Sequence, residues 1–294
     1  MPVPTGVISR SLFDPAAPAM PVRVEAEAPA ATGVARHLVV LASSSSGNCS
    51  VLIHGEGSLR RATLIDAGLS PRRTNRLLST LGLSLQHVDD VLFTHLDHDH
   101  CHAGWSSINA LPKHATVHVH KRHVNRGMRS GLLTHRTEVF AGDFRLRCGV
   151  TVRPVLLSHD DLGAAAFRLD FDGAGPEQAL GYATDLGHVP AGLVELFKGV
   201  GVLAIESNYC PVMQRDSDRP EFLKERIMGG AGHLSNQQSA AAVRAISPRN
   251  RVVLLHLSRQ CNTPETALAA HEHPGVGVTV ASADQPTAAL HLAG

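Results

Sequence analysis

The apolar run Val91-Leu92-Phe93 leads straight into Thr94-His95-Leu96-Asp97-His98-Asp99-His100, and no other stretch restricts the fold so tightly. Five of those last seven residues carry an imidazole or a carboxylate. A buried strand has to deliver them at its end, held rigidly on the sheet side and open on the other. Imidazole and carboxylate donors suit zinc, iron and manganese, and a catalytic metal needs several of them converging with one position left free. The chain has 19 His, so closeness of any two carries little weight. His118, His120 and His123 alternate along a strand and its exit, no carboxylate joins them, and they are read as ordinary structural residues.

Three later apolar runs also end in a donor. Val155-Leu156-Leu157-Ser158 reaches His159, followed by Asp160 and Asp161; Tyr182-Ala183-Thr184 reaches Asp185; Val252-Val253-Leu254-Leu255 reaches His256. Strand ends of stacked sheets meet along one edge, so these residues and the 95–100 cluster are expected to converge.

Further strands are predicted at 37–41, 50–53, 62–65, 91–94, 116–120, 150–157, 165–171, 179–184, 200–205, 251–257, 277–281 and about 287–291. One helix opens with Ser70 as N-cap and Pro71 at its first position, carries Leu77, Leu78 and Leu81 on one face, and stops at Gly82. A second opens at Ser235, where Gln238 has capping-box spacing, and continues through an Ala-rich body to Ile246. Many strands with few intervening helices predict an α+β chain, two sheets face to face with helices outside, a four-layer αββα sandwich. Residues 37–294 are read as that one domain, and residues 1–36, rich in Pro, Ala and Val, as a disordered extension.

A hydrophobic content of 43% and a charged content of 18% are those of an ordinary globule, and a net charge of +1 leaves any nucleic-acid surface to be a local patch. Arg72, Arg73 and Arg76, and the run Lys121-Arg122-His123 with Arg126 and Arg129, are candidates for such a patch. A solvated helix face accounts for them equally well. Five widely spaced cysteines without a C-x-x-C exclude a complete disulfide framework and point to the cytoplasm. No stretch reaches the roughly 18 apolar residues of a membrane span.

The ordered donors His95, Asp97, Asp99, His100, His159, Asp185 and His256 resemble the binuclear signature of the metallo-β-lactamase superfamily. That resemblance implies one divalent ion on His95, Asp97 and His159, a second on Asp99, His100 and His256, and Asp185 bridging. Narrower blocks resemble the YycJ/WalJ-type bacterial DNA exonucleases. They are Leu41–Cys49, Leu64–Ser70, Ala183–Gly187, Gly232–Asn236, and His256-Leu257-Ser258 through Asn262–Glu265. The family implies a 5′-to-3′ DNA exonuclease that uses manganese or zinc, with iron a further option, to hold an attacking hydroxide. Asp99 is then also placed to orient that nucleophile. Glu206 and His233 look like the Glu–His pair of tRNase Z-like phosphodiesterases, which implies that His233 protonates the leaving oxygen or holds a phosphate oxygen while Glu206 fixes its tautomer.

The chain departs from the pattern at Asp97, where the common signature has a second imidazole. A carboxylate there makes the first site harder and moves its preference towards manganese, iron or magnesium. The alternative is that His98 supplies the missing imidazole after a local shift. Two other functions remain compatible with the residues. One is a small-substrate hydrolase acting on a cyclic phosphodiester, thioester or lactam; the other is a metal-poor binding protein without turnover.

Overall fold

In a computed structural model of the chain, residues 36–272 and 275–293 are described. The extension expected over residues 1–36 lies outside them except for Arg36, which opens the first strand. The strands are β1 (Arg36–Ala42), β2 (Cys49–His54), β3 (Arg61–Ile65), β4 (Val88–Leu92), β5 (Thr116–His120), β6 (Thr137–Phe140) and β7 (Phe144–Arg145). They continue with β8 (Thr151–Leu157), β9 (Ala164–Asp170), β10 (Leu180–Ala183), β11 (Val202–Glu206), β12 (Arg251–Leu255), β13 (Gly277–Val280) and β14 (Leu290–Ala293).

They form two seven-stranded mixed sheets, ordered β14-β1-β2-β3-β4-β5-β6 and β13-β12-β11-β10-β9-β8-β7. Read from β14 or from β7, each sheet has three antiparallel pairings followed by three parallel ones. The two sheets therefore share one arrangement, with β3 and β10 in matching places.

Alternation along the strands makes the four layers. Leu38 and Val40 point into the core between the sheets with Phe167, Leu180, Tyr182 and Val253. Val39 and Leu41 point the other way, against Leu77, Leu78 and Trp105. On the second sheet Leu203, Ile205 and Leu254 pack under Leu193, Phe197 and Ile246. Strands buried on both faces read as continuous apolar runs, which is why they were legible. The expected α+β sandwich is the observed one.

Both predicted helices are present. Pro71–Thr80 is capped by Ser70 Oγ, which accepts from Arg73 N–H; Asn236–Ile246 has the reciprocal Ser235–Gln238 capping box. The edge strands β6 and β7 were not expected; they are short, largely exposed and lack an apolar run. The reading of His118 needs correction: a carboxylate does join it. Parallel pairing of β4 with β5 sets Asp90 beside it, Oδ1 lying 2.8 Å from Nε2. A cross-strand neighbour is invisible along the sequence. His120 Nδ1 accepts from Arg122 N–H, and His123 Nε2 donates to the Gly163 carbonyl.

Candidate metal centre

The donors sit just past the ends of β4, β8, β10 and β12, so the two sheets present them along one edge. The chain turns sharply there. Asp66, Asp160, Asp185 and His256 all have left-handed φ, at 59°, 42°, 56° and 57°. For non-glycine residues such backbone costs about 1–3 kcal/mol each, and it gathers at functional sites. The 95–100 loop is seated on Gly68: a Cβ at that position would lie 1.7 Å from the Asp99 carbonyl oxygen. Asn48 N–H donates to that same carbonyl at 2.7 Å, so the Ser-rich turn after β1 also supports the loop.

Beside a group made by Asp185, Glu206, His233 and His256, two further groups of converging donors result among the described residues. Nitrogens and oxygens of His95, His159 and Asp185 lie within 4.8 Å of one another, and those of Asp99, His100 and His256 do the same. Asp185 stands between them: Oδ2 is 2.8 Å from His100 Nε2, while Oδ1 is 3.1 Å from His256 Nδ1 and 3.8 Å from His159 Nε2. His256 Nε2 is 3.1 Å from Asp99 Oδ2. Six of the seven donors expected from the sequence are thus brought together.

Asp97 is held differently. One oxygen is 3.8 Å from His95 Nε2, and the other forms an ion pair with Arg126 Nη1 at 2.5 Å. Arg126 also lies 3.7 Å from Asp160 Oδ2. The guanidinium therefore balances the carboxylate that stands where the common pattern has an imidazole. His98 is exposed, with its ring 5.7 Å from that of His102, and it joins neither group of donors.

The electrostatics fit a cation. His95 Nε2 is buried without a hydrogen-bond partner. Burial, reinforced by His100, holds its pKa well below the usual imidazole value, so it is a neutral donor. A buried imidazole nitrogen left unpaired in a polar site is what a metal ligand looks like without its ion. Burial also opposes charge at Asp185, but His256 and His100 outweigh it and keep the carboxylate ionised far below its ordinary range. The residues present fit divalent metal.

Behind the donors lie Asp66, which the sequence reading passed over, and Glu206, which it paired with His233. Asp66, fully buried, accepts from Thr94 N–H at 2.8 Å and from His100 Nδ1 at 2.7 Å. Carboxylate–imidazole contacts of this kind orient metal ligands. Asp66 follows β3 as Asp185 follows β10, a correspondence that the matching places of the two strands reveal. Glu206, at the end of β11, is likewise fully buried. Its Oε1 accepts from His233 Nδ1 at 2.6 Å and its Oε2 from Leu186 N–H at 2.8 Å. The basic candidates on the Pro71–Thr80 helix lie elsewhere, Arg73 being tied to the Ala283 carbonyl.

A cavity of about 300 Å³ opens over Asp99, His159, Asp185, His233 and His256. Two mixed sheets flanked by helices, with imidazoles and carboxylates along one edge, define a metallo-hydrolase. A family model described as a beta-lactamase superfamily domain matches residues 61–257, and the chain belongs to that superfamily. Exodeoxyribonuclease YycJ of Bacillus anthracis is 27% identical over 238 residues, covering 79% of this chain and 86% of the relative. Exodeoxyribonuclease WalJ of Streptococcus pneumoniae is 26% identical over 235 residues, covering 78% and 84%. Among solved structures, the metallo-β-lactamase fold protein YhfI from Bacillus subtilis aligns with a TM-score of 0.63 at 15% identity, covering 86% of this chain and 99% of that one. The last likeness is one of fold.

Proposed function

We propose that the protein is a metal-dependent phosphodiesterase that degrades DNA from an end, 5′ to 3′. The observation that carries the reading is the pair of donor groups on either side of Asp185, with His233 on the same cavity and Glu206 buried behind it. The names of the relatives, both exodeoxyribonucleases at moderate identity, support DNA as the substrate.

His95, His159 and Asp185 would hold one divalent ion, with Asp97 completing it, and Asp99, His100 and His256 a second that Asp185 shares. Bound ions supply Lewis acidity, lowering the pKa of water and neutralising charge on the phosphoryl oxygens. Asp99 Oδ2 faces His256, which leaves Oδ1 to orient the attacking water. As water adds to phosphorus it releases one proton to solvent, the bond to the leaving oxygen breaks, and that oxygen takes a proton. His233 gives it: Nδ1 is engaged by Glu206, so Nε2 is the nitrogen that faces substrate. Glu206 cannot serve as the acid itself, because it is buried and has its oxygens occupied by Leu186 N–H and His233.

Asp97 makes the first site richer in oxygen donors, which favours manganese or iron over zinc. All five cysteines are free, which suits a reducing cytoplasm, and no helix among the described residues is long and apolar enough to cross a membrane. The test is digestion of 5′- and 3′-labelled linear DNA by metal-stripped protein resupplied with manganese, zinc or EDTA. Metal-dependent loss from the 5′ end is expected. Intact DNA with every metal, alongside cleavage of a thioester or lactam, overturns the reading.

A further inference from the structure

Beside the metal cavity lies a larger groove of about 690 Å³. Ser45, His159, Arg226 and His233 line both, so the groove leads away from the reacting centre with Arg226 at the junction. One wall is the helix Glu221–Met228 and the loop Gly229–Gly232 that follows it. This wall is fixed to the site. His233 N–H donates to the Ile227 carbonyl at 2.9 Å, and the Gly230 carbonyl faces His188 Nδ1 at 3.0 Å. Gly187 permits that approach, since a Cβ there would sit 2.1 Å from Gly230 O.

The three arginines around the centre differ in how they are engaged. Arg126 is committed to Asp97. Arg219 is held by neutral acceptors, Gln260 Oε1 and Gln214 Oε1 at 3.0 Å each and Ser258 Oγ at 3.3 Å, and has no carboxylate partner among the described residues. Arg226 makes no hydrogen bond and no ion pair among the described residues. A free guanidinium at the mouth of a metal site and a pre-oriented one further along form a two-point track for anionic oxygens. Leu223 and Ile227 give the groove apolar surface between them. Two carboxylates also border it. Asp160 already accepts from Leu162 and Gly163 N–H through Oδ1, and Glu225 is exposed.

We infer that this groove is the subsite for the nucleotide adjoining the scissile bond, with Arg226 binding that nucleotide's phosphate and Arg219 the next along the strand. The inference rests on the phosphodiesterase reading and adds to it where the polymer lies. Arg226 is then a binding residue that acts on the DNA chain, not on the reacting phosphoryl group.

The test compares metal-loaded wild type, Arg226→Gln and Leu223→Trp on single-stranded DNA and on bis(p-nitrophenyl) phosphate, which has no adjoining phosphate. For Arg226→Gln, KM for DNA is expected to rise about tenfold and the slope of log KM against log salt to fall by about 1, the share of one phosphate contact. Metal content should stay within about twofold of wild type, and kcat/KM for the small diester should fall several-fold less than that for DNA. Leu223→Trp, which fills the groove, should impair DNA and spare the small diester. Equal losses on both substrates, or no loss on DNA, overturn the subsite while leaving the phosphodiesterase intact. Wild type that is metal-loaded yet cleaves neither substrate overturns the parent reading, and the subsite falls with it.

Discussion

Asp66→Asn isolates the support behind the metal ligands. The carboxylate is fully buried; Oδ1 accepts from Thr94 N–H at 2.8 Å and Oδ2 from His100 Nδ1 at 2.7 Å. An amide keeps the shape and the acceptor for Thr94, but sets an NH₂ against His100 Nδ1. His100 must then turn its lone pair to that NH₂, which puts its proton on Nε2, the atom facing Asp185 and Asp99. A nitrogen carrying a proton cannot bind a metal. Loss of such supporting contacts typically weakens metal affinity about 10- to 100-fold, or about 1.4–2.7 kcal/mol. The lost charge-assisted hydrogen bond is worth about 1.5–3 kcal/mol to the fold, and relief of a buried carboxylate offsets part of it. The variant should therefore fold in EDTA with only a modestly lower melting temperature. Competition titration of manganese against a chromophoric chelator should show the Asp99–His100–His256 site losing affinity while the His95–His159 site keeps its own. Wild-type affinity at both sites, in a folded Asp66→Asn protein, would refute the reasoning.

Asp97→His, combined with Arg126→Gln to remove the guanidinium it no longer needs, should shift metal preference from manganese towards zinc. Competitive loading followed by elemental analysis checks this, and an unchanged preference shows that Asp97 does not act on the ion. His233→Ala should lower kcat on DNA about 100-fold or more, the lower end of what general acids contribute, without changing bound metal. The deficit should shrink on bis(p-nitrophenyl) phosphate, whose leaving group needs no proton; an equal deficit on both contradicts the assignment. Burial disfavours a charged imidazole at His100 and His256, yet Asp185 with their other carboxylate neighbours holds both pKa values well above 6.5. In the metal-free protein these two therefore hold their protons to a higher pH than ordinary imidazoles do. The raised values stabilise the metal-free fold fully below pH 6.5, a contribution lost as pH climbs through the folded pKa values. Metal must displace the same protons, so apparent affinity should rise with pH above 6.5. Calorimetry in buffers of different ionisation enthalpy counts the protons released, and a count near zero contradicts the shift.

Much of this architecture was legible because its strands are buried on both faces and end in donors. Val91-Leu92-Phe93 before His95 and Val252–Leu255 before His256 announced both the sheets and the edge where they meet. The helix caps at Ser70 and Ser235 were readable from local chemistry alone. What stayed hidden depends on contacts across the fold. The edge strands β6 and β7 have no apolar signature, and Asp90 reaches His118 only through the register of neighbouring strands. Asp66 looked like any strand-ending acid until the matching places of β3 and β10 gave it a counterpart in Asp185. The pairing of Arg126 with Asp97, from a helix beyond β5, explains how the unusual carboxylate is balanced and has no trace in the spacing of either residue.

The central claim is that one edge of this sandwich holds two divalent ions around Asp185. Anomalous diffraction at the manganese edge, from crystals of stripped protein soaked in manganese, tests it directly. Two peaks are expected, one among His95, His159 and Asp185 and one among Asp99, His100 and His256, with the shared Asp185 touching both. A single peak, or none at these residues at saturating manganese, contradicts the account.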